Sequence, residues 1–154
     1  MSASGAPRNE NTTLPMALRL MRNPLGRFFL KRIWSRNLAK KSLSDMVFDE
    51  SSITDREIDR LWEFSKYPGS MDAMFREFTQ TWDDFEPTEV EGIVTDSLLI
   101  WGEEDTICPE SMGRWYDSQL LKSTMVGLPN IGHSPQFECP DRCFDEISEW
   151  IGGL

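Results

Sequence analysis

The stretch Ser97-Leu98-Leu99-Ile100-Trp101-Gly102-Glu103-Glu104-Asp105-Thr106-Ile107-Cys108-Pro109 decides how the chain folds. Ser97 to Trp101 is a short, mostly apolar run closed by Gly102, which suits a strand buried on both faces. An acid-rich loop follows, and after Pro109 the residues Met112, Trp115 and Tyr116 mark a helix. Thr124 to Leu128 reads as a second, weaker strand. Pro140 suits the first position of a last helix, on which Phe144, Ile147 and Ile151 are expected to point inward. Strand, helix, strand and helix in this order predict a parallel crossover and the tail of a doubly wound α/β sheet.

Upstream of Glu86-Pro87 the periodicity is helical instead. Leu14 to Met21 reads as a short apolar turn or helix, broken at Asn23-Pro24. Leu25, Phe28, Phe29 and Ile33 then recur at near-helical spacing among Arg27, Lys31, Arg32 and Arg36. That pattern fits a helix packed on its own protein, or an amphipathic helix lying on a membrane surface. Thr54-Asp55-Arg56-Glu57 has the spacing of a capping box, with Ile53 and Ile58 placed for a hydrophobic staple. Ile58, Leu61 and Trp62 make one face of the helix that follows, and Pro68-Gly69 ends it. Ser70 can cap a further helix whose Met71, Met74, Phe75 and Phe78 form a packing stripe. The expected division is therefore a helical segment over residues 1–86 and a βαβα segment over 87–154.

Composition narrows the function classes. The 154 residues include sixteen basic and twenty-six acidic side chains, a net charge of −10, and a single histidine. Such a balance argues against nucleic acid as a partner, because phosphate binding needs a cationic face. The charge is uneven: nine basic residues against two acidic ones precede Met46, and the rest of the chain is strongly acidic. Arginines interrupt the early apolar run, so no secretory signal is expected, and no stretch approaches the ~20 apolar residues that span a bilayer. Cys108, Cys139 and Cys143 are an odd number without framework spacing, which points to a reducing cytoplasm.

In parallel sheets functional side chains gather beyond the carboxyl ends of the strands. Two loops qualify: residues 102–109 with Asp105, and Asn130-Ile131-Gly132-His133-Ser134-Pro135 with the lone histidine. A carboxylate beside an imidazole fixes its tautomer and stabilises the imidazolium, which a general base requires. Other chemistry is weaker. His133, Cys139 and Cys143 match no strong zinc spacing. The run Glu103-Glu104-Asp105 reads as a solvated loop rather than a calcium site, and Cys108 on the acid's own loop is poorly placed to attack. No Gly-rich phosphate loop is present and no cofactor or metal is expected.

LLIWGEEDTICP, NIGHSPQFECPDRC and FDEISEWI together resemble the C-terminal end of the α/β-hydrolase superfamily. Gly102, Asp105 and Pro109 match its G-x-x-D-x-x-x-P loop, and Gly132, His133, Ser134 and Pro135 match its G-H-S/x-P loop. The resemblance implies that Asp105 is the triad acid and His133 the triad base. The helical stretch from about Leu14 to Trp82 resembles the cap of lid-bearing members such as epoxide hydrolases, haloalkane dehalogenases and carbon–carbon-bond hydrolases. One departure is large: no glycine-flanked nucleophile elbow of the G-x-S-x-G or G-x-D-x-x kind occurs, and the early strands and oxyanion loop are missing as well. MSASGAPRNE resembles the chain entering the cap, so Met1 falls inside the family's pattern.

The expectation is thus a partial α/β-hydrolase fold: a helical cap followed by the last two parallel strands and helices. It would serve a hydrolase of small apolar esters, epoxides, halides or diketones, inactive without the nucleophile half and completed by a complementing fragment or by homo-oligomerisation. The alternative is a non-catalytic remnant or interaction module that keeps the lid surface.

Overall fold

A computed structural model describes residues 5–7, 20–79 and 86–153. The features expected at residues 14–19, at Trp82 and for the Phe78 side chain lie outside them. The described residues fall into two compact units. One holds residues 20–45 and 50–79; the other holds residues 5–7, Met46–Asp49 and 86–153. The segment Met46–Asp49, inside the expected helical segment, therefore goes with the sheet.

The first unit is helical. Helix α1 (Pro24–Ile33) starts at Asn23, whose side chain accepts from Leu25 N at 2.9 Å, and Pro24 occupies the first turn where no N–H is needed. Helix α2 (Arg36–Ser44) is capped by Ser35, and a 3₁₀ turn follows at Glu50–Ser52. Helix α3 (Asp55–Ser65) begins at the expected capping box: Glu57 accepts from the backbone N–H of Thr54 at 3.2 Å and from its hydroxyl. Helix α4 (Ser70–Thr79) follows Gly69, whose φ of 86° belongs to the left-handed region. Ser70 is the first residue of α4 rather than its cap. Met21, Leu30 and Phe75 are buried together, with Leu38, Met71 and Met74 packed against them, so Met71, Met74 and Phe75 of the expected stripe are packing residues. Arg36 ties α2 to α3 through Asp55 (2.6 Å) and Asp59 (2.5 Å). Leu25, Phe28, Phe29 and Ile33 stay exposed on α1.

The second unit carries the sheet. After the short helix α5 (Pro87–Glu91), strand β1 (Ser97–Gly102) leads through helix α6 (Glu110–Gln119) to strand β2 (Ser123–Leu128). The strands pair in parallel, from Ser97 opposite Ser123 to Gly102 opposite Leu128. Short helix α7 (Pro135–Glu138) and helix α8 (Pro140–Gly152) close the chain. Trp101, Met112, Tyr116, Cys108, Val90 and Ala6 form one core cluster, while Leu128, Ile131 and Cys143 form another with Ile100, Val126 and Cys139.

Two burial expectations are corrected. Ser97 to Ile100 are only half-buried, and full burial begins at Trp101 and Gly102. On α8, Phe144, Ile147 and Ile151 are 69%, 42% and 59% exposed, leaving Cys143 as the helix's buried side chain. The reason is width. Two strands about 4.8 Å apart make a surface narrower than the ~10–12 Å diameter of a helix with its side chains.

The carboxyl end of β1 meets the loop after β2 at backbone contact. A Cβ at Gly102 would lie 2.1 Å from Gly132 O and 2.4 Å from Ile131 O. Gly102→Ala is accordingly expected to cost about 3 kcal/mol in urea unfolding of the purified chain. Gly92→Ala meets nothing within 4 Å at a helical φ of −72° and should gain about 0.4–1 kcal/mol. Equal midpoints for the two variants would contradict this account of the contact.

Candidate active site

The loop after β1 is built around one carboxyl group. Asp105 Oδ1 accepts from the backbone N–H of Ile107 and of Cys108, both at 2.8 Å, which folds the loop back on its own side chain. The Trp101 indole N–H donates to Cys108 O at 2.8 Å and pins the far end of the same loop. Beyond the strand ends the ladder continues: Glu103 N donates to Leu128 O (3.1 Å) and Glu104 N to Ile131 O (3.0 Å).

The loop after β2 turns at Asn130, whose φ of 60° a short polar side chain tolerates. It then presents His133. His133 N donates to Met46 O at 2.8 Å, and Nδ1 of the ring lies 2.8 Å from Asp105 Oδ2. Asp105's side chain is fully buried and that of His133 is 21% accessible. Because Asp105 already accepts two N–H groups, its carboxyl is the acceptor and Nδ1 the donor. This leaves Nε2 as the acceptor nitrogen of the ring, on an imidazole that reaches solvent. The two residues singled out in the sequence, twenty-eight positions apart, are brought together in one hydrogen bond.

The other candidates separate from this pair. Glu103 and Glu104 are exposed, and Cys108 is buried in the Trp101 cluster. Among the described residues no three His, Cys, Asp or Glu side chains converge to hold a metal ion. Burial first, then its neighbour Cys143, push the Cys139 thiol up to about 11.

Sequence reasoning missed Glu138 and the segment Met46–Phe48. Glu138 accepts from the backbone N–H of Gly132, Ser134 and Phe48. A signal existed in the spacing from Ser134 to Glu138, but it is one residue longer than a capping box and does not match that pattern. Nothing in the residues of 46–48 announces their place beside His133.

No family model matches the chain. The chain is 30% identical over 128 residues to the uncharacterized hydrolase YugF of Bacillus subtilis (strain 168), covering 83% of this chain and 47% of the relative. It therefore spans about half the length of the curated relative it matches. Among solved structures it is similar to the meta-cleavage product hydrolase CumD of Pseudomonas fluorescens IP01, with a TM-score of 0.76 and 24% identity. That match covers 99% of this chain and 54% of the other. The 2-hydroxy-6-oxo-6-phenylhexa-2,4-dienoate hydrolase from Rhodococcus sp. strain RHA1 gives a TM-score of 0.73 at 19% identity, over 95% of this chain and 51% of its own. A serine hydrolase from Cycloclasticus zankles gives 0.72 at 17%, over 99% and 53%. At these identities the structural likeness is one of fold.

The geometry makes two expectations measurable. With one histidine in the chain, ¹⁵N NMR reads its tautomer without assignment: Nδ1–H in the native protein, Nε2–H in Asp105→Asn, whose amide would donate where the carboxylate accepts. Asp105→Ala strands the N–H groups of Ile107 and Cys108 and should lower stability by about 2–4 kcal/mol. An Nε2–H tautomer in the native chain would remove the basis for the first, and an Asp105→Ala chain as stable as the native one the basis for the second. Separately, Cys139 should react with iodoacetamide at pH 8 about two orders of magnitude more slowly than an unperturbed thiol of pKa ~8.5. Labelling at the free-thiol rate would show that burial does not hold its proton.

Proposed function

As this chain belongs to the α/β-hydrolase superfamily and carries the C-terminal half of its fold, we propose that it supplies the acid and the histidine of a nucleophile–acid–histidine triad. The observation that carries the reading is the 2.8 Å hydrogen bond from His133 Nδ1 to the buried Asp105. In this role Asp105 holds the ring in the Nδ1–H tautomer and stabilises the imidazolium. His133 Nε2 then takes the proton of a serine hydroxyl as it attacks, or of the water that cleaves an ester on an aspartate nucleophile. The nucleophile, on a glycine-flanked elbow, and the oxyanion donors come from the half of the fold that this sequence does not contain. By itself the chain is inactive.

The helical unit acts as the lid, and the substrate is a small apolar ester, epoxide, halide or diketone. Structural neighbours named as meta-cleavage product hydrolases favour the diketone-like class. Three free thiols favour a cytoplasmic setting, and no helix among the described residues is long and apolar enough to cross a membrane. A second reading, an interaction module without catalysis, draws on the apolar side chains left exposed on α1 and α8. The same faces suit a complementing fragment or a second copy of the chain.

Reconstitution tests the reading. The chain is co-expressed with the part of the Bacillus relative that precedes the matched stretch, and the mixture is assayed with an aryl ester and a diketone. Activity is expected only in the mixture, and His133→Ala should lower it at least about a thousandfold. Two results would overturn the proposal: reconstituted activity indifferent to His133→Ala, or His133-dependent ester hydrolysis by a cooperatively folded monomer of this chain alone.

A further inference from the structure

Three consecutive backbone N–H groups surround the histidine, and all three are held. His133 N donates to Met46 O at 2.8 Å. On either side, Gly132 N donates to Glu138 Oε1 at 2.9 Å and Oε2 at 3.1 Å, and Ser134 N donates to Oε1 at 3.3 Å. The same carboxyl group reaches across to the Met46–Phe48 segment, where Phe48 N donates to Oε2 at 2.7 Å. The bonds close a ring: Glu138 grips the residues before and after His133 and also the segment that accepts His133's own N–H. That segment runs at backbone contact with the loop, since a Cβ on Gly132 would lie 2.7 Å from Phe48 N and 2.9 Å from Met46 O.

We propose that Glu138 is a positioning residue for His133, holding the imidazole at its hydrogen-bond distance from Asp105 by immobilising the histidine's backbone. The proposal rests on the reading of His133 as the triad base, and it adds the means by which that base is aimed. Asp105 constrains the imidazole at the ring end. A ring swings about its Cα and Cβ, so a loop free to shift by half an ångström would carry Nε2 out of line with any nucleophile. Glu138 removes that freedom at the backbone end. A carboxylate suits the task because both of its oxygens accept, and here they take donors from three residues. An amide in the same place has one accepting oxygen and turns an NH₂ group toward backbone donors.

The lone imidazole is the probe, read in the purified chain by ¹⁵N NMR alongside amide hydrogen exchange. Glu138→Gln should raise exchange about tenfold at Gly132, Ser134 and Phe48 and broaden the His133 Nδ1–H signal. Asp105→Asn should switch the ring tautomer while those three amides keep their protection. If Glu138→Gln frees the amides but leaves a sharp, unaltered Nδ1–H signal, Glu138 staples the loop without aiming the ring and the proposal fails. Should Glu138→Gln not fold, Glu138→Asp, which keeps the charge and shortens the reach, is read in the same way. The unmodified chain decides if neither folds. Positioning requires the Nδ1 proton and the three amides to exchange through one shared opening, and independent rates would refute it. In the reconstituted enzyme Glu138→Gln should lower kcat with little change in KM. Reconstituted activity that ignores His133→Ala would instead defeat the triad reading and leave the NMR result standing.

Discussion

Among the described residues Asp105 is the buried charged side chain, and the sheet unit turns on it. Taking a carboxylate out of water is costly unless donors replace its hydration. Here three do: the Ile107 and Cys108 N–H groups on one oxygen and the His133 ring on the other. Satisfying it dictates much else. The loop must fold back on its own side chain, and the strands must end level so that the second loop delivers an imidazole within reach. The end of β1 must also come so near residues 131–132 of that loop that Gly102 has no room for a side chain. The parallel register, with Gly102 opposite Leu128, makes the ends level.

Much of this was readable beforehand. The apolar run at residues 97–101, the helix after Pro109 and the Thr54–Glu57 cap are local signals, and local signals survive into the structure because neighbouring residues alone produce them. The pairing of Asp105 with His133 was legible because both follow strands, and strand ends in a parallel sheet point to one rim. What failed to show depends on distant partners. Phe144, Ile147 and Ile151 have the spacing of a buried face, yet burial needs a surface opposite, and two strands are too narrow to provide one. Glu138 departs by one residue from a familiar capping pattern, and its partner Phe48 lies ninety positions away.

The exposed faces on α1 and α8 share a physical meaning with the chain's length. Each is periodic, apolar and intact as a pattern, so the sequence is written for more contact than the described residues supply. The chain covers 47% of its curated relative and 54% of the meta-cleavage product hydrolase from Pseudomonas fluorescens IP01. Charge follows the same division. Arg27, Lys31, Arg32, Arg36, Lys40 and Lys41 sit on α1 and α2, with Lys31 paired to Asp72 and Arg36 to Asp55 and Asp59, while acidic Glu103 and Glu104 stand at the rim of the sheet.

The segment Met46–Asp49 belongs to the sheet unit although the helical unit continues on both sides of it in the chain. The helical unit is therefore no detachable cassette. A chimera that exchanges residues 20–79 for another protein's helices also exchanges the carbonyl that receives His133's N–H and the amide that Glu138 holds. Recombination by cut points at the outer ends of the helical region would transplant part of the rim along with it. A graft that keeps these four residues in place, and joins new helices to Asp45 and Glu50, respects the seam the fold draws.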